Sequence, residues 1–399
     1  MSVSEPIPDA QEVVAGKVCR FAQNRLGVVH AMAKKHKVEV PGDVERFFAA
    51  VQANHWEEAK ALFASLKKLK ESSEGADALR TLWPAIMETY GVALDAQLWP
   101  AQKLLDYGQA VLGSLRPGMV YVGGTDPGRF IPTLLNETSD GEQHVVLTQN
   151  ALADNSYLEY LRFLYGDRMT TLTPEDSQRA FQDYMDDAQK RLAHDEQFPN
   201  EPKQVRPGED IHMTDGRVQA SGQVSVMLIN EKLFQTMMDK NPDLTFALEE
   251  SFPFKSTYPN AVPLGPIMEL RVPDAQKTFT ADAAAQAVDY WRIASQSLPA
   301  GSDNPGDSEV RNAYSKMAAT QATLLEDHNF TSEAEQTYRL ATDIAPSAPE
   351  AVFRYAGFLA GQKRFAEAIP VVETAVNGAP DNQQFRDLLQ NLKRVAGKN

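Results

Sequence analysis

One cysteine, Cys19, stands in 399 residues, which excludes an intramolecular disulfide and a cysteine-rich metal site. Histidine is scarce too. The seven, at 30, 36, 55, 144, 194, 212 and 328, form no HExxH pair, so a metal centre would need distant segments and none is expected. Positive charge is in the minority, Lys+Arg 39 against Asp+Glu 54 for a net charge of −15, and the field of the whole chain opposes phosphate backbones. Nucleic acid is therefore not an expected partner. No run approaches the roughly 18 to 20 apolar residues that cross a bilayer, the densest short one being 224–229. Residues 1–11 carry Glu5, Asp9 and two prolines without an apolar run, so they read as a tail and not as a secretory signal. Cytoplasmic residence is the resulting expectation, with no integral membrane segment.

Catalytic signatures are missing as well. No G-x-S-x-G elbow occurs, and Cys19 lies in a polar helical stretch without a nearby histidine, so nucleophilic catalysis has no local support and no catalytic residue is assigned. No cofactor motif stands out either. Lys34-Lys35-His36-Lys37 reads as a solvated helix end in so acidic a chain. Asp183, Asp186 and Asp187 lack the spacing of a calcium loop.

What is present is a balance of 43% apolar and 23% charged residues, enough for two or three folded units. Residues 1–116 read as a helical region. Val44, Phe47, Phe48 and Val51, then Ala59, Leu62, Phe63 and Leu66, predict a helical hairpin with Trp56 at its joint. Leu82 to Tyr90 predict a helix ending at Gly91, and 104–115 another ending before Arg116-Pro117-Gly118. From 117 to 273 the pattern predicts an α/β domain with a small, mostly parallel sheet in three layers. Met119-Val120-Tyr121-Val122 and Val145-Val146-Leu147 are strands with a helix after each; 244–248 and 266–272 are two more strands, separated by a Pro/aromatic loop over 252–263. Thr173-Pro174-Glu175-Asp176 caps a long helix, 195–216 reads as a connecting loop, and helical spacing from Val224 stops at Asn241-Pro242. Residues 274–308 hold a helix near 281–295 and a linker over 299–307.

The clearest signal is a period of 34 within residues 309–399. Ala322, Ala334, Ala341 and Pro346 recur as Ala356, Ala368, Ala375 and Pro380. Small residues let paired helices approach and proline ends the unit. This stretch resembles the tetratricopeptide repeat family, with a capping helix over 382–395 and without the consensus Trp and Gly of the first helix. The resemblance implies a protein partner held by helical surfaces; the alternative use of two copies is to brace their own chain. Residues 46–66 resemble one further divergent copy.

The candidate site is the loop Gly123-Gly124-Thr125-Asp126-Pro127-Gly128-Arg129 after the first strand. Its glycines have phosphate-loop spacing, but Arg129 stands for the lysine, Phe130 for the Ser/Thr, and Pro127 removes a backbone donor. Gly124, Thr125, Asp126, Arg129, Gln149, Asn150 and Asp154 would line one strand-end crevice, where ligands of open α/β sheets sit. Equally, Asp126 and Pro127 could form a turn, Asn150 and Asp154 cap a helix, and Arg129 pair with a carboxylate. The strand exit and the continuation Val-Leu-Thr-Gln-Asn-Ala-Leu resemble the soluble region of bacterial membrane glycosyltransferase-like proteins, which are often followed by such repeats. That resemblance implies a soluble accessory or recognition module, since glycosyl transfer there is attributed to a membrane part not present in this sequence. The expected function is a non-catalytic protein-binding or scaffold protein. A ligand-binding or transferase-like domain for a sugar or phosphorylated small molecule is the alternative.

Overall fold

The computed structural model describes residues 9–72, 76–214, 217–250, 252–270, 279–298 and 305–397. The terminal tail over 1–8, the strand end expected at 271–272 and most of the linker lie outside the described residues. Five helices come first: α1 (Ala10–His36), α2 (Gly42–Gln52), α3 (Trp56–Glu71), α4 (Ala76–Leu98) and α5 (Ala101–Leu112). Phe63 stacks on Tyr90 at 3.7 Å and Trp56 on Tyr90 at 5.6 Å, which fixes α3 against α4. The expected stop at Gly91 is overturned. The helix runs through it to Leu98, and a Cβ there would strike the Phe130 ring. Gly91 is a point of close approach between helices, not a terminator.

The central region contains β1 (Val120–Gly123), α6 (Pro127–Glu137), β2 (Val145–Thr148), α7 (Asn155–Tyr165), α8 (Pro174–Gln197), β3 (Asp210–Thr214), β4 (Arg217–Ser221), α9 (Gly222–Asp239), β5 (Phe246–Leu248), a 3-10 turn (Lys255–Asn260), β6 (Ala261–Leu264) and β7 (Ile267–Leu270). The main sheet has five strands in the order β2-β1-β5-β7-β6. β2, β1 and β5 run parallel, whereas β7 is antiparallel to both of its neighbours. The sheet is thus mixed, and the four strands of the sequence reading become five. β6 hid inside the expected loop because it carries Pro263, which an edge strand tolerates, and Gly265 at φ 57 turns the chain straight into β7. The expected connection over 195–216 contains β3, which forms a separate hairpin with β4.

Register sorts the side chains between the two faces of the sheet. Tyr121, opposite Val146 and Ala247, donates its hydroxyl proton to the Gly128 carbonyl of α6. Phe246, opposite Val120, meets Phe234 of α9 edge-on at 5.8 Å. The parallel strands β1, β2 and β5 are buried along their whole length, as parallel strands covered on both sides require.

The chain ends in α10 (Ala281–Ser297), α11 (Pro305–Asp327), α12 (Thr331–Ile344), α13 (Pro349–Gly361), α14 (Phe365–Gly378) and α15 (Gln383–Ala396). Residues 305–307, expected in the linker, are already helical. Ala322, Ala334, Ala341, Ala356, Ala368 and Ala375 are all 0% exposed. The period of 34 is repeated in the backbone. Asn329 and Lys363 adopt φ 64 and 62, and the next N–H in each case, Phe330 or Arg364, donates to Leu325 or Leu359 at 2.9 Å. The α2–α3 turn has the same form, with Asn54 at φ 56 and His55 donating to Ala50 at 2.8 Å. One buried core runs from Val14 through the sheet to Ala351, and a second fills the stack from Ala322 to Leu392.

Candidate functional site

Asp126 follows β1 and caps α6: its carboxylate accepts from the Gly128 N–H at 3.1 Å, and Pro127 takes the first helical position. Asp154 does the same for α7. Both residues satisfy helix ends that would otherwise leave unpaired donors. Thr125 and Asn150 meet at 3.2 Å. Thr148, at the end of β2, donates to the Gly124 carbonyl at 2.7 Å. Gln149 is fully buried and donates to the Phe252 carbonyl at 3.0 Å, so the segment after β5 lies over this strand end. The structure joins the Gly124-Thr125 loop to the strand end at 148–150, and uses Asp126 and Asp154 as the caps of α6 and α7.

Arg129 is 4% exposed and turns into the protein. Its guanidinium lies 3.4 Å from Glu88 of α4 and stacks over Phe130 at 4.6 Å. Glu88 also receives Arg25 of α1 at 2.7 Å and the Tyr160 hydroxyl of α7 at 2.5 Å, while Arg25 reaches Glu137 of α6. Burial pushes the Glu88 carboxyl up, but Arg25 and Arg129 outweigh it and hold the group below the usual range. Burial raises Glu137 to about 7 against the pull of Arg25. This hub joins α1, α4, α6 and α7 inside the protein and holds the Arg129 guanidinium against Glu88, so Arg129 does not face the strand-end crevice, and its Nε is left without a hydrogen-bond partner among the described residues.

The cation that does face it comes from the far end of the chain. Lys316 of α11 places its Nζ 2.7 Å from Asp126 and 3.0 Å from Glu249, which follows β5. Glu249 is 3% exposed, and a side chain on Gly128 would strike its carboxylate. The head of α6, where a phosphate-binding loop would hold its anion, is thus occupied by Asp126 and Glu249. Burial would lower the Lys316 pKa, yet Glu249 and Asp126 keep it above its ordinary value. Further ties run beside it. Arg354 of α13 pairs with Glu250 at 3.0 Å, Gln321 donates to the Gly265 and Ile267 carbonyls at 2.6 and 2.7 Å, and His328 meets the Tyr258 carbonyl at 2.8 Å.

Glu249, Glu250, Lys316 and Glu88 were not picked out by the sequence reading. Glu249-Glu250 directly after the apolar triplet Phe246-Ala247-Leu248 was a usable signal, as was Lys316 between Ser315 and Met317 on an otherwise apolar stretch. Among the described residues no group of three or more His, Cys, Asp or Glu could hold a metal ion, and no helix is long and apolar enough to cross a membrane.

Fold and site together define an α/β domain with a small mixed sheet, flanked by helices on both sides in sequence, whose strand end holds the Lys316 ammonium between Asp126 and Glu249. No family model, curated protein or solved structure matches it.

Proposed function

We propose that this chain is a non-catalytic scaffold protein that engages another protein through the outer part of its helical tail. The observation that carries this reading is the seat of Lys316 between Asp126 and Glu249. The strand end, where a small ligand of an α/β sheet would bind, is filled by the chain's own side chain. The face of α11 is turned inward by the same contact. α13 to α15 continue the stack beyond it and keep polar, solvent-facing surfaces. The 34-residue period in sequence and in turn geometry supports a tetratricopeptide-like stack, whose repeats present an extended surface by simple addition. Two units with a cap are few for independent stability, and docking of α11 on the sheet supplies the missing support.

Gly357 and Gly361 give a direct test. They lie one turn apart on the exposed side of α13, and an added Cβ meets nothing within 4 Å at either. Gly357→Arg with Gly361→Arg leaves the fold intact and obstructs that surface. In affinity capture from native extract, the wild type should recover a stoichiometric protein partner and the double variant should lose it by about tenfold or more, a difference near 1.4 kcal/mol. Equal recovery by both would place any partner elsewhere, and no partner for the wild type would contradict the scaffold reading.

A further inference from the structure

The strand-end cluster holds more carboxylates than cations. Asp126 at the head of α6 and Glu249 after β5 share one ammonium, Lys316 of α11, and Asp95 of α4 lies in the negative field of Asp126 and of Glu309 on α11. Tyr107 of α5 and Tyr121 of β1 are neutral phenols raised well above their ordinary range by burial, and Glu250 is answered by Arg354. Asp95 and Glu249 are 4% and 3% exposed. Each leaves one buried carboxylate oxygen, Oδ2 and Oε2, without a hydrogen-bond partner among the described residues. A lone lysine neutralises one charge, and the surplus cannot be buried ionised without a penalty of several kcal/mol per ion. The surplus is relieved by protons.

We propose that this cluster is a proton-dependent latch: docking α11 on the sheet takes up a proton, and undocking releases it. The device differs from an ordinary buried ion pair such as Arg25 with Glu88, whose depressed carboxyl pKa gives linkage of the opposite sign. Burial, with Asp126 adding and Lys316 opposing, raises the Glu249 carboxyl from 4.5 to about 7. Burial, then Asp126 and Glu309, sets Asp95 well above its usual range. The sign follows. Below 4.5 the Glu249 carboxyl is protonated whether docked or free, so its contribution to docking is fully present. Between 4.5 and about 7 only the docked form keeps the proton, so docking weakens as pH rises, and above that range this group adds no further slope. The tail is held most firmly in mildly acidic solution.

Hydrogen exchange on the full chain between pH 5 and 8, corrected for intrinsic rates, reads the latch. Protection of α11 to α15 amides relative to β1 amides should fall by up to about tenfold per pH unit for each linked proton. Glu249→Gln, which keeps the shape of the protonated carboxyl, should remove about one proton from that slope, and Asp95→Asn should reduce the slope independently. Asp95→Asn carries the test alone if the first variant fails to fold. A flat wild-type profile, an unchanged slope in both variants, or loss of protection that is equal in β1 and the tail would overturn the latch.

Discussion

Two glycines with opposite roles show how far a single residue's meaning depends on its neighbours. Gly91 is buried against Phe130 and Gly357 faces open space. Gly91→Ala should destabilise by about 1–3 kcal/mol through overpacking, whereas Gly357→Ala should stabilise by about 0.5–1 kcal/mol by restricting the unfolded chain; urea unfolding of both measures the contrast. Arg129 is the companion case. Its presence as the loop's one cation was legible, but its direction was not, because Glu88 and Arg25 lie far upstream and nothing local marks them as its company. Removing the shared carboxylate by Glu88→Gln should cost about 3–5 kcal/mol, since it leaves buried guanidinium charge uncompensated. The depressed Glu88 pKa makes its stabilisation present above the ordinary value of 4.5 and lost as pH falls through the lower folded value. Acid titration of stability should accordingly lose that portion of its slope in the variant.

At the scale of elements, signals held within one segment were the readable ones. Thr173 caps α8 with a reciprocal bond to Asp176, as the Thr-Pro-Glu-Asp order announces. The alanine period of 34 coincides with the spacing of the Asn329 and Lys363 turns, which the sequence does not mark with glycine. What was hidden depended on pairing with distant chain. β3 has no buried residue, so it lacks the apolar alternation that reveals a strand. β6 is defined by β7 and by the helices over it. In the stack, Ala368 is 0% exposed where α14 meets α13. Ala368→Leu should overpack that contact by about 1–3 kcal/mol, and hydrogen exchange should show the loss concentrated in α13 to α15 while β1 and β2 stay protected.

Taken whole, the molecule is organised by contacts between its first third, its sheet and its last third. The core that begins at Val14 includes Val310, Met317 and Ala318 of α11, and the Tyr107 hydroxyl meets the Met317 sulfur at 3.6 Å. Sequence order suggests separate regions divided where the period of the pattern changes, and one core runs across those divisions. The joint between them is not legible in the sequence, because Lys316 and Asp126 are brought together only by the completed fold. Lys316, Asp126 and Glu249 hold that joint closed. Lysine footprinting with an amine-reactive reagent at neutral pH, read by mass spectrometry, tests it most directly. The Lys316 side chain is 14% exposed and held by two carboxylates, whereas Lys67 and Lys363 are exposed. Burial and a raised pKa both remove reactive free amine, so Lys316 should be modified at least about tenfold more slowly than Lys67 and Lys363. Modification of Lys316 at the rate of the exposed lysines would show an open strand end and contradict the account.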